Sequence, residues 1–435
     1  MGRQRKYTPL EVFLNTRHVG RLTRQSSGAI DFQYAPEWLA WEHTMPISLS
    51  LPLREDRYLG APVIAVFDNL LPDSDAIRRR VAERRGAEGI DAFSLLSAVG
   101  RDCVGALQFL PEGEVPDPAD QIRGDVLDED EIAAMIANLG NVPLGLGDDQ
   151  DFRISIAGAQ EKTALLYHDG HWLRPHGTTP TTHILKPQIG RLPLGVDLSH
   201  SVENEHLCLR LLEAFGLEVA QTEIRDFGEH RVLVVERFDR RHAADGRLLR
   251  LPQEDCCQAL GVPPTRKYQN DGGPSAADIL DLLKASDVPE QDRIAFLKAQ
   301  ILFWLMAATD GHAKNVSLFL RPGGRFRLTP LYDVISVQPS IDAGQLQGPK
   351  VKLAMSVGTN RHYRVDDIVA RHFMQTAERA GLSRDVVVRL LEEIEAAFEY
   401  AFERVEAQLG RDVPEELVKS VKARMRGPLQ GGAAV

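Results

Sequence analysis

The segment AATDGHAKNVSLFL, residues 307–320, gathers four side chains that could take part in chemistry: Asp310, His312, Lys314 and Asn315. The sequence directly before it, ILFWLMAA, is apolar on every side, so a helix that carries it must end in a buried position. A carboxylate near a helix C-terminus faces the negative end of the helix dipole, and we therefore expect a cationic partner for Asp310. If the chain brings these side chains together, the carboxylate oxygens of Asp310 and the amide oxygen of Asn315 could accept a proton or bind a hard metal ion.

A β-hairpin is expected to add a second carboxylate to this segment. After Asn315 the chain runs VSLFL, turns at RPGG and returns as RFRLTPLYD, which is the pattern of two apolar strands around a tight turn. Because a hairpin brings its two ends together, Asn315 and Asp333 should lie side by side, one tight turn from Asp310. Oxygen ligands with few competing nitrogens suit Mg²⁺, whose shell is completed by waters and substrate phosphates.

The spacing of Asp310 and Asn315 indicates phosphoryl transfer. D-x-x-x-x-N is the spacing of the protein-kinase catalytic loop, where the aspartate accepts the proton of the substrate hydroxyl and the asparagine holds Mg²⁺. Asp333 would then be a second metal ligand, and Asp310 rather than His312 the general base. We expect Gly311 in the left-handed C-cap conformation, and the alternative to a catalytic segment is an ordinary helix stop there, with the polar side chains in solvent.

A nucleotide also needs a loop over its phosphates. The segment RISIAGAQEKTALLY, residues 153–167, is expected to be strand–turn–strand with Gly158 at the turn, so that backbone N–H groups and Lys162 could cover phosphates. It is not a Walker A loop, because the second glycine is missing, Glu161 precedes the lysine and a strand follows. The alternative is an ordinary turn.

Two further segments could hold the rest of a nucleotide. Lys186 ends the apolar strand THILKP, and a partly buried ammonium needs an anion, such as a nucleotide phosphate together with a helix glutamate. Glu205 is favoured over Glu203 for that glutamate, and a strand end that reaches solvent is the alternative. The strand VLVVERF, residues 232–238, could pass the adenine and read its edge with backbone groups.

The elements that must position these residues fall into a strand-rich half and a helix-rich half. LEVFLNTRHVGRLTR is expected to form a hairpin with its turn at residues 15–20, and the basic helix in PDSDAIRRRVAERRG to be capped near Asp73 or Ser74. The helix before the polar cluster should start with Asp287 as its N-cap and Pro289 in its first turn. We divide the chain into a strand-rich part (1–110), a linker with a short helix at 129–138 (111–150), an ATP-binding N-lobe (151–255) and a mainly helical catalytic C-lobe (256–435).

Composition excludes several classes of protein. A net charge of −11 over 435 residues argues against a dedicated nucleic-acid binder, which needs a basic surface to neutralise phosphates. The four cysteines show no metal-ligand spacing and are too few for a disulfide framework. We see neither a signal peptide nor a stretch of roughly 20 apolar residues, so we expect a cytoplasmic protein with no membrane partner.

A series of motifs resembles one known family. In chain order, the segments FDNLLPDS, GRDCVGALQFLP, SIAGAQEKTALL, TPTTHILKP, VERFDRR, LPQEDCCQALG, KYQNDGGP, ATDGHAKN, RLTPLYDVIS and KLAM are similar to the HipA family of bacterial serine/threonine kinase toxins. The resemblance covers nearly the whole chain. It implies an α+β, two-lobed protein-kinase-like fold, related to protein and lipid kinases, with a strand-rich N-terminal part and an all-α C-terminal lobe.

The resemblance also implies Mg²⁺-ATP as cofactor and assigns site residues. Asp310 would be the catalytic base, Asn315 and Asp333 the metal ligands, and Ser155 a serine whose autophosphorylation displaces the phosphate loop and silences the kinase. The residues expected at the nucleotide are Ala157, Gly158, Ala159, Gln160, Glu161, Lys162, Lys186, Glu236, Arg237, Phe238, Gly311, His312, Ala313, Lys314, Asn315, Tyr332 and Asp333.

The partners implied by the resemblance are a HipB-like helix-turn-helix antitoxin dimer, operator DNA reached mainly through that antitoxin, and a protein substrate. An aminoacyl-tRNA synthetase, of the glutamyl type, is the expected substrate, and its phosphorylation would halt translation and induce dormancy. Two alternatives stay open. One is a non-catalytic, nucleotide-binding corepressor that bridges antitoxin dimers on DNA, and the other is a small-molecule kinase with the same active-site residues.

Overall fold

Two compact units make up the chain. The computed structural model describes residues 7–141, 155–158, 160–192, 195–410 and 413–430. The first unit contains the described residues of Met1–Pro187, Arg225–Thr265 and Leu318–Phe326, and the second those of Gln188–Ile224, Arg266–Ser317 and Arg327–Val435. The predicted division into four parts stays a prediction, since these two units are drawn across it.

Five antiparallel strands form the first sheet, in the order β4-β3-β2-β1-β5. They are β1 (Leu10–Leu14), β2 (Arg17–Arg24), β3 (Ile30–Tyr34), β4 (Tyr58–Leu59) and β5 (Leu107–Pro111). The predicted hairpin is β1 and β2, with a turn of only two residues in which Asn15 has a left-handed φ of 54°. Gly20, which we expected in the turn, lies inside β2, where a Cβ would come within 2.2 Å of the Gln33 carbonyl oxygen of β3.

Four helices accompany this sheet: α1 (Pro36–Leu39), α2 (Ala61–Asp68), α3 (Asp75–Arg85) and α4 (Ala92–Val99). The helix α2 covers the apolar segment APVIAVFD that precedes the basic helix α3. Ser74 rather than Asp73 is the N-cap of α3, because its Oγ accepts a hydrogen bond from the Ile77 N–H group.

A second sheet of six strands has the order β12-β13-β9-β7-β8-β6. This part of the chain contains the strands β6 (Gly124–Leu127), β7 (Thr163–His168), β8 (His171–Pro175), β9 (His183–Pro187), β10 (Gly190–Arg191), β11 (Asp197–Leu198), β12 (Thr222–Phe227), β13 (His230–Glu236), β14 (Arg240–His242), β15 (Leu248–Arg250) and β16 (Gln253–Asp255). Of these, β10, β11, β14, β15 and β16 lie outside the six-stranded sheet. The helices in this stretch are α5 (Glu129–Ala137), at the predicted place, α6 (Ser201–Ala214) and α7 (Cys256–Ala259). The segment 111–150 is more than a linker, because β6 pairs with β8 at the edge of this sheet.

The strand predicted before Gly158 is wrong for its described residues, Ser155 to Ala157, which are not in a strand. The physical reason is that the Ser155 N–H group bonds to the Asp102 carbonyl oxygen (2.9 Å) instead of a strand neighbour. Residues 153–154 of that prediction lie outside the described part of the chain.

A buried carboxylate joins the motifs GRDCVG, TPTTH and ERFDRR of the first unit. Asp102 is 2% exposed; one of its oxygens accepts from the Thr181 N–H and Oγ1 groups (3.0 and 2.7 Å), and the other accepts from Arg240 Nη2 and Arg250 Nε (both 2.9 Å). Burial opposes ionisation, but the guanidinium groups of Arg240, Arg250 and Arg237 outweigh it and hold the pKa of Asp102 well below its usual range.

A second buried carboxylate completes this network. Asp239 accepts from Nε and Nη2 of Arg237 (3.0 and 2.9 Å) and from the Gly105 N–H group (2.7 Å). Gly105 has a φ of 75°, and a Cβ there would lie 2.7 Å from the Gln253 carbonyl oxygen, so the motif requires glycine at this position. We call Asp102, Asp239, Arg237, Arg240 and Arg250 the buried ion network.

Helices dominate the second unit. The α-helices and strands after residue 265, in chain order and from both units, are α8 (Ala276–Leu282), α9 (Pro289–Met306), β17 (Ser317–Arg321), β18 (Arg325–Leu328), α10 (Gln338–Asp342), β19 (Lys352–Val357), β20 (His362–Arg364), α11 (Ala370–Arg379), α12 (Arg384–Gln408) and α13 (Glu415–Gln430). Most of β17 and the start of β18 belong to the first unit. The C-terminal part is therefore mainly helical, with the strand pair β19 and β20 in addition. Among the described residues, no helix combines the length and the apolar character that a membrane crossing requires.

The N-cap prediction for α9 is wrong. Pro289 opens the helix as expected, but Val288 occupies the N-cap position and makes no side-chain capping bond. Ser286 orders this turn instead, because its Oγ accepts a hydrogen bond from the Val288 N–H group (3.0 Å).

We predict that Asp102→Asn strongly destabilises the first unit. The substitution leaves three buried guanidinium groups with one carboxylate, and removing one partner of a buried ion pair costs about 3–5 kcal/mol. Urea unfolding should shift to clearly lower urea concentration. Asp245→Asn is the matched control, because Asp245 pairs with Arg247 in solvent; it should leave the transition in place. Equal transitions for the two variants would show that the network does not stabilise the fold.

A buried carboxyl group should make stability depend on pH. Glu254 is 1% exposed, its Oε1 accepts from the Leu49 N–H group (2.8 Å), and burial raises its pKa to about 8. Because the unfolded chain releases this proton above about pH 4.3, the stabilisation is complete below that pH and is lost as pH rises toward 8. Urea unfolding of Glu254→Gln should show a flatter decline of stability between pH 5 and 8 than the wild type. An identical decline in both would contradict the assignment.

Candidate active site

The end of α9 sets the direction of the polar segment. Ala307 adopts the left-handed conformation (φ 53°), and the N–H groups of Ala307 and Ala308 bond to the carbonyl oxygens of Trp304 (3.1 Å) and Phe303 (2.8 Å). This is the usual way in which a helix ends with satisfied carbonyl groups. The left-handed C-cap is therefore Ala307, and our prediction of Gly311 for that role is wrong.

Gly311 is required for a different reason. Its φ is not positive, but a Cβ at this position would lie 2.7 Å from Cδ2 of the Phe303 ring. The absence of a side chain lets the segment after Asp310 turn back against the helix. Gly311 thus serves close packing rather than backbone conformation.

Backbone and side-chain bonds fix Asp310 relative to Asn315. The Asp310 carbonyl oxygen accepts from the His312 N–H group (2.8 Å) and from Nδ2 of Asn315 (2.9 Å). Because the amide nitrogen of Asn315 is used in this way, its carbonyl oxygen is left to face a ligand. This is the orientation that a metal-binding asparagine needs.

The hairpin of β17 and β18 brings Asp333 to the same place. The Tyr332 hydroxyl donates to the Lys314 carbonyl oxygen (3.0 Å) and lies 2.6 Å from Ser317 Oγ, so it ties the two ends of the hairpin together. Asp333 itself has a left-handed φ of 59°. A non-glycine residue held in this region costs about 1–3 kcal/mol and is typical of functional sites.

The segment after Asp333 is clamped against the end of α9. The Ser336 hydroxyl donates to the Met306 carbonyl oxygen (2.6 Å), and the Asn204 side chain bonds to both the N–H and the carbonyl group of Ser336 (2.9 and 2.8 Å). Val337 adds a backbone bond to the Ala307 carbonyl oxygen (3.1 Å). These bonds keep the two segments in fixed register.

The carboxylates of Asp310 and Asp333 and the side-chain amide of Asn315 line the same pocket. Its lining residues are Phe303, Ala308, Asp310, Gly311, Asn315, Tyr332, Asp333, Val334 and Ile335. The side chains of Asn315 and Asp333, the predicted metal ligands, offer oxygen atoms, which are the donors that Mg²⁺ prefers. One amide and one carboxylate do not fill an octahedral shell, so this pair fits an ion whose shell is completed by phosphate and water. His312, Ala313 and Lys314 are buried beside the pocket and are not among its lining residues.

The partner of Asp310 differs from our expectation. We expected a cation, but the Tyr268 hydroxyl lies 2.5 Å from Oδ1 of Asp310, and His312 Nε2 lies 3.8 Å from the same oxygen. The sequence reasoning missed Tyr268, which lies about 40 residues upstream in the motif KYQNDGGP. The motif itself, with two adjacent glycines after a tyrosine, was the only signal that could have pointed to it.

In the first unit, the predicted phosphate loop is held by the segment FDNLLPDS. Ser155 is fully buried, and its Oγ donates to the Leu70 carbonyl oxygen (2.8 Å). The Asp73 N–H group bonds to the Gly158 carbonyl oxygen (3.0 Å), beside a bridge between Pro72 and Gly158. The proposed phosphate loop is therefore held in place by hydrogen bonds to the N-terminal part of the chain.

The rest of the loop is braced internally. Lys162 is 5% exposed, and its Nζ donates to the Ala157 carbonyl oxygen (2.8 Å). Glu161 forms an ion pair with Arg80 of α3. Gln160 Nε2 donates to the Pro187 carbonyl oxygen (3.0 Å). Ala159, also predicted at the nucleotide, lies outside the described residues.

Of the four remaining predicted contacts, Lys186, Glu236 and Phe238 stay predictions, whereas the structure gives the Arg237 side chain a different role. Lys186 is buried in β9, opposite Leu233 of β13, as a lysine at the end of an apolar strand should be. Glu236 is the last residue of β13, and Phe238 lies two residues beyond it. Arg237, between them, has its guanidinium in the buried ion network and its N–H group bonded to the Thr182 carbonyl oxygen (2.9 Å). Its side chain is therefore structural and not available to a nucleotide.

Two family models and two relatives match this chain over most of its length. Residues 10–110 match the family model of the HipA N-terminal domain, and residues 154–402 that of the HipA-like C-terminal domain. The protein Y4mE of Sinorhizobium fredii is 36% identical over 384 residues, which cover 87% of each chain. The serine/threonine-protein kinase toxin HipA of Shewanella oneidensis is 29% identical over 404 residues, 89% of this chain and 87% of HipA.

A solved structure extends this similarity to the fold. In the complex of Shewanella oneidensis HipA, HipB and operator DNA, the matching chain superposes with a TM-score of 0.80, at 26% identity and over 97% of both chains. The predicted fold class is confirmed by this match.

We predict that Gly311→Ala disturbs the pocket. The added methyl group must displace the Phe303 ring or the segment carrying Asp310, and overpacking of this kind costs typically about 1–3 kcal/mol. Thermal unfolding should occur at lower temperature, and nucleotide binding should weaken. Gly140→Ala is the control, because Gly140 is exposed, its φ is not positive and a Cβ there meets nothing within 4 Å; it should leave the unfolding temperature unchanged. A Gly311→Ala protein as stable as the wild type would refute the packing role.

Proposed function

This chain belongs to the HipA family and is a serine/threonine protein kinase; from that premise we propose that it uses Mg²⁺-ATP and acts as the toxin of a HipBA-type toxin–antitoxin module. The single observation that carries the proposal is the pocket in which Asp310, Asn315 and Asp333 converge. Their arrangement agrees with the D-x-x-x-x-N spacing and later aspartate of kinase catalytic segments.

Each of the three residues has a distinct part in this proposal. Asp310 accepts the hydroxyl proton of the acceptor serine while the serine oxygen attacks the phosphoryl group. Asn315 and Asp333 would hold Mg²⁺ through their side-chain oxygens. When bound, ATP would supply the phosphoryl group, and Mg²⁺ would neutralise the charge that develops on that group. Asp333, fixed in an unfavourable backbone conformation, need not rearrange when the ligand arrives.

The residues of the first unit would bind the nucleotide. We assign phosphate contacts to Lys186 and to backbone N–H groups of the 157–162 loop, and adenine contacts to the chain at Glu236 and Phe238. Lys162 would support the loop rather than contact phosphate directly, since its ammonium already braces the Ala157 carbonyl group. The pairing of Lys186 with Glu205 stays a prediction.

We further propose that Ser155 is an autophosphorylation site that switches the kinase off. Its hydroxyl is buried and bonded to the Leu70 carbonyl oxygen, so a phosphate of charge near −2 has no room in this position. Phosphorylation would therefore require the segment to leave its place against Leu70, together with the loop that follows it.

The partners we propose are a HipB-like antitoxin dimer, operator DNA contacted mainly through that antitoxin, and an aminoacyl-tRNA synthetase as substrate, with the glutamyl enzyme favoured. The relative whose solved structure matches was crystallised with HipB and its operator DNA. A net charge of −11 supports the view that the antitoxin supplies most of the basic surface. Such a module would act in the cytoplasm.

The first test is intact-mass and peptide mass spectrometry of the full chain, with and without Mg²⁺-ATP. One added phosphate on Ser155 is expected for the wild type and none for Asp310→Asn. No phosphate in any sample, with ATP binding demonstrated separately, would overturn the kinase proposal and favour a non-catalytic corepressor.

Substitutions in the pocket should separate catalysis from binding. Asp310→Asn is expected to keep nucleotide affinity and to lose turnover by at least about 100-fold, the usual contribution of a general base. Asp333→Asn should also weaken binding of Mg²⁺-ATP, measured by titration with a fluorescent ATP analogue. Near-normal phosphorylation by Asp310→Asn would show that another group is the base.

A further inference from the structure

The motif KYQNDGGP has no part in the function proposed above, yet it reaches the candidate catalytic base. The Tyr268 hydroxyl donates to Oδ1 of Asp310 across 2.5 Å. The Asp310 side chain is 54% exposed, so little else in its surroundings restrains its rotation. A hydrogen bond to an ionised carboxylate is shorter and stronger than one between neutral groups.

The loop that carries Tyr268 is built to hold it still. The Tyr268 carbonyl oxygen accepts hydrogen bonds from the N–H groups of Asp271 and Gly273 (both 3.0 Å). A Cβ on Gly273 would lie 2.0 Å from the Arg266 carbonyl oxygen, so this tight turn exists only with glycine there. The turn therefore fixes the backbone of Tyr268 and, with it, the direction in which the side chain leaves the backbone.

Two further contacts fix that direction. The Tyr268 ring meets the His312 ring edge to face, with centroids 5.0 Å apart, and the His312 side chain is buried. The neighbouring Gln269 accepts a hydrogen bond from the Ser356 N–H group of β19 through its Oε1 (2.7 Å). The tyrosine is thus placed by the loop, by a strand and by a buried ring, all within the second unit.

The other carboxylate oxygen is differently situated. Among the residues that the structure describes, Oδ1 of Asp310 has the Tyr268 hydroxyl and the His312 ring nearby, whereas no hydrogen-bond donor lies on Oδ2. A carboxylate can rotate about its last torsion almost freely. One fixed donor on Oδ1 therefore determines where Oδ2 points.

We propose that Tyr268 is a positioning residue for phosphoryl transfer: its hydroxyl fixes the carboxylate of Asp310 so that Oδ2 receives the proton of the acceptor hydroxyl. The inference rests on the proposed kinase function. It deepens that function, because it assigns the two oxygens of Asp310 separate tasks and gives the KYQNDGGP motif a part in the reaction. Tyr268 acts through Asp310, and we assign it no contact with the nucleotide.

The test is Tyr268→Phe in the full chain, which removes the hydroxyl and keeps the ring against His312. Protein treated with a phosphatase, and then freed of it, is mixed with Mg²⁺ and ³²P-labelled ATP, and the initial rate of phosphate incorporation is measured over a range of ATP concentrations. The rate at saturating ATP should fall about tenfold, a part of the 10²–10⁴-fold that a general base supplies. The half-saturating ATP concentration should stay within about twofold, because a positioning role affects the proton acceptor and not nucleotide binding.

Tyr400→Phe is the matched control, since Tyr400 lies exposed on α12, and both variants should keep the thermal unfolding temperature of the wild type. Four results would overturn the inference: an unchanged rate, a faster rate, a raised half-saturating ATP concentration at an unchanged maximal rate, or an equal loss in Tyr400→Phe. A faster rate would mean that the tyrosine blocks the acceptor. A wild type that binds ATP and incorporates no phosphate would overturn the kinase function itself, which separates the two failures.

Discussion

Charge buried without water is the constraint on which the first unit depends. Asp102 and Asp239 are removed from solvent together with three arginines, and such groups are tolerated only when each is paired and hydrogen-bonded. The network draws together the segments at Asp102, at Arg237 to Arg240 and at Arg250, which supply one, three and one of its five ions. The same Asp102 receives the Ser155 N–H group on its carbonyl oxygen, so the start of the proposed phosphate loop rests on the most constrained part of this unit.

The second unit solves a different problem, which is to hold exposed oxygen atoms in a fixed arrangement. The helix α9 must end where its apolar surface ends, and Ala307 makes that end possible in a left-handed conformation. The segment after β18 carries Asp333, and the Tyr332 hydroxyl beside it donates to the Lys314 carbonyl oxygen. The strain in the backbone of Asp333 is held by its surroundings, as is common at sites that must be ready before a ligand binds.

The residues of the site differ in how far the local sequence pattern determines their role. The convergence of Asp310, Asn315 and Asp333 could be predicted, because it follows from a helix end and a hairpin that are contiguous in the chain. The functions of Gly311 and Arg237 could not. Gly311 looked like a helix cap but is needed for its distance to Phe303, and Arg237 looked like part of a nucleotide site but is an ion of the buried network. Phe303 and Asp239 lie only eight and two residues away in the chain, but whether they make these contacts depends on how the surrounding segments pack and not on the residue pattern.

The sequence by itself determined the family, the order of strands and helices around the site, and the three oxygen-bearing side chains at its centre. These depend on periodicity, turn residues and spacing, which act over a few residues to a few tens of residues. Only the tertiary structure decided that Tyr268 rather than a cation partners Asp310, and that Ser155 is held by Leu70. Such contacts join segments some 40 to 85 residues apart, and they exist because packing leaves each buried or confined polar group one available partner.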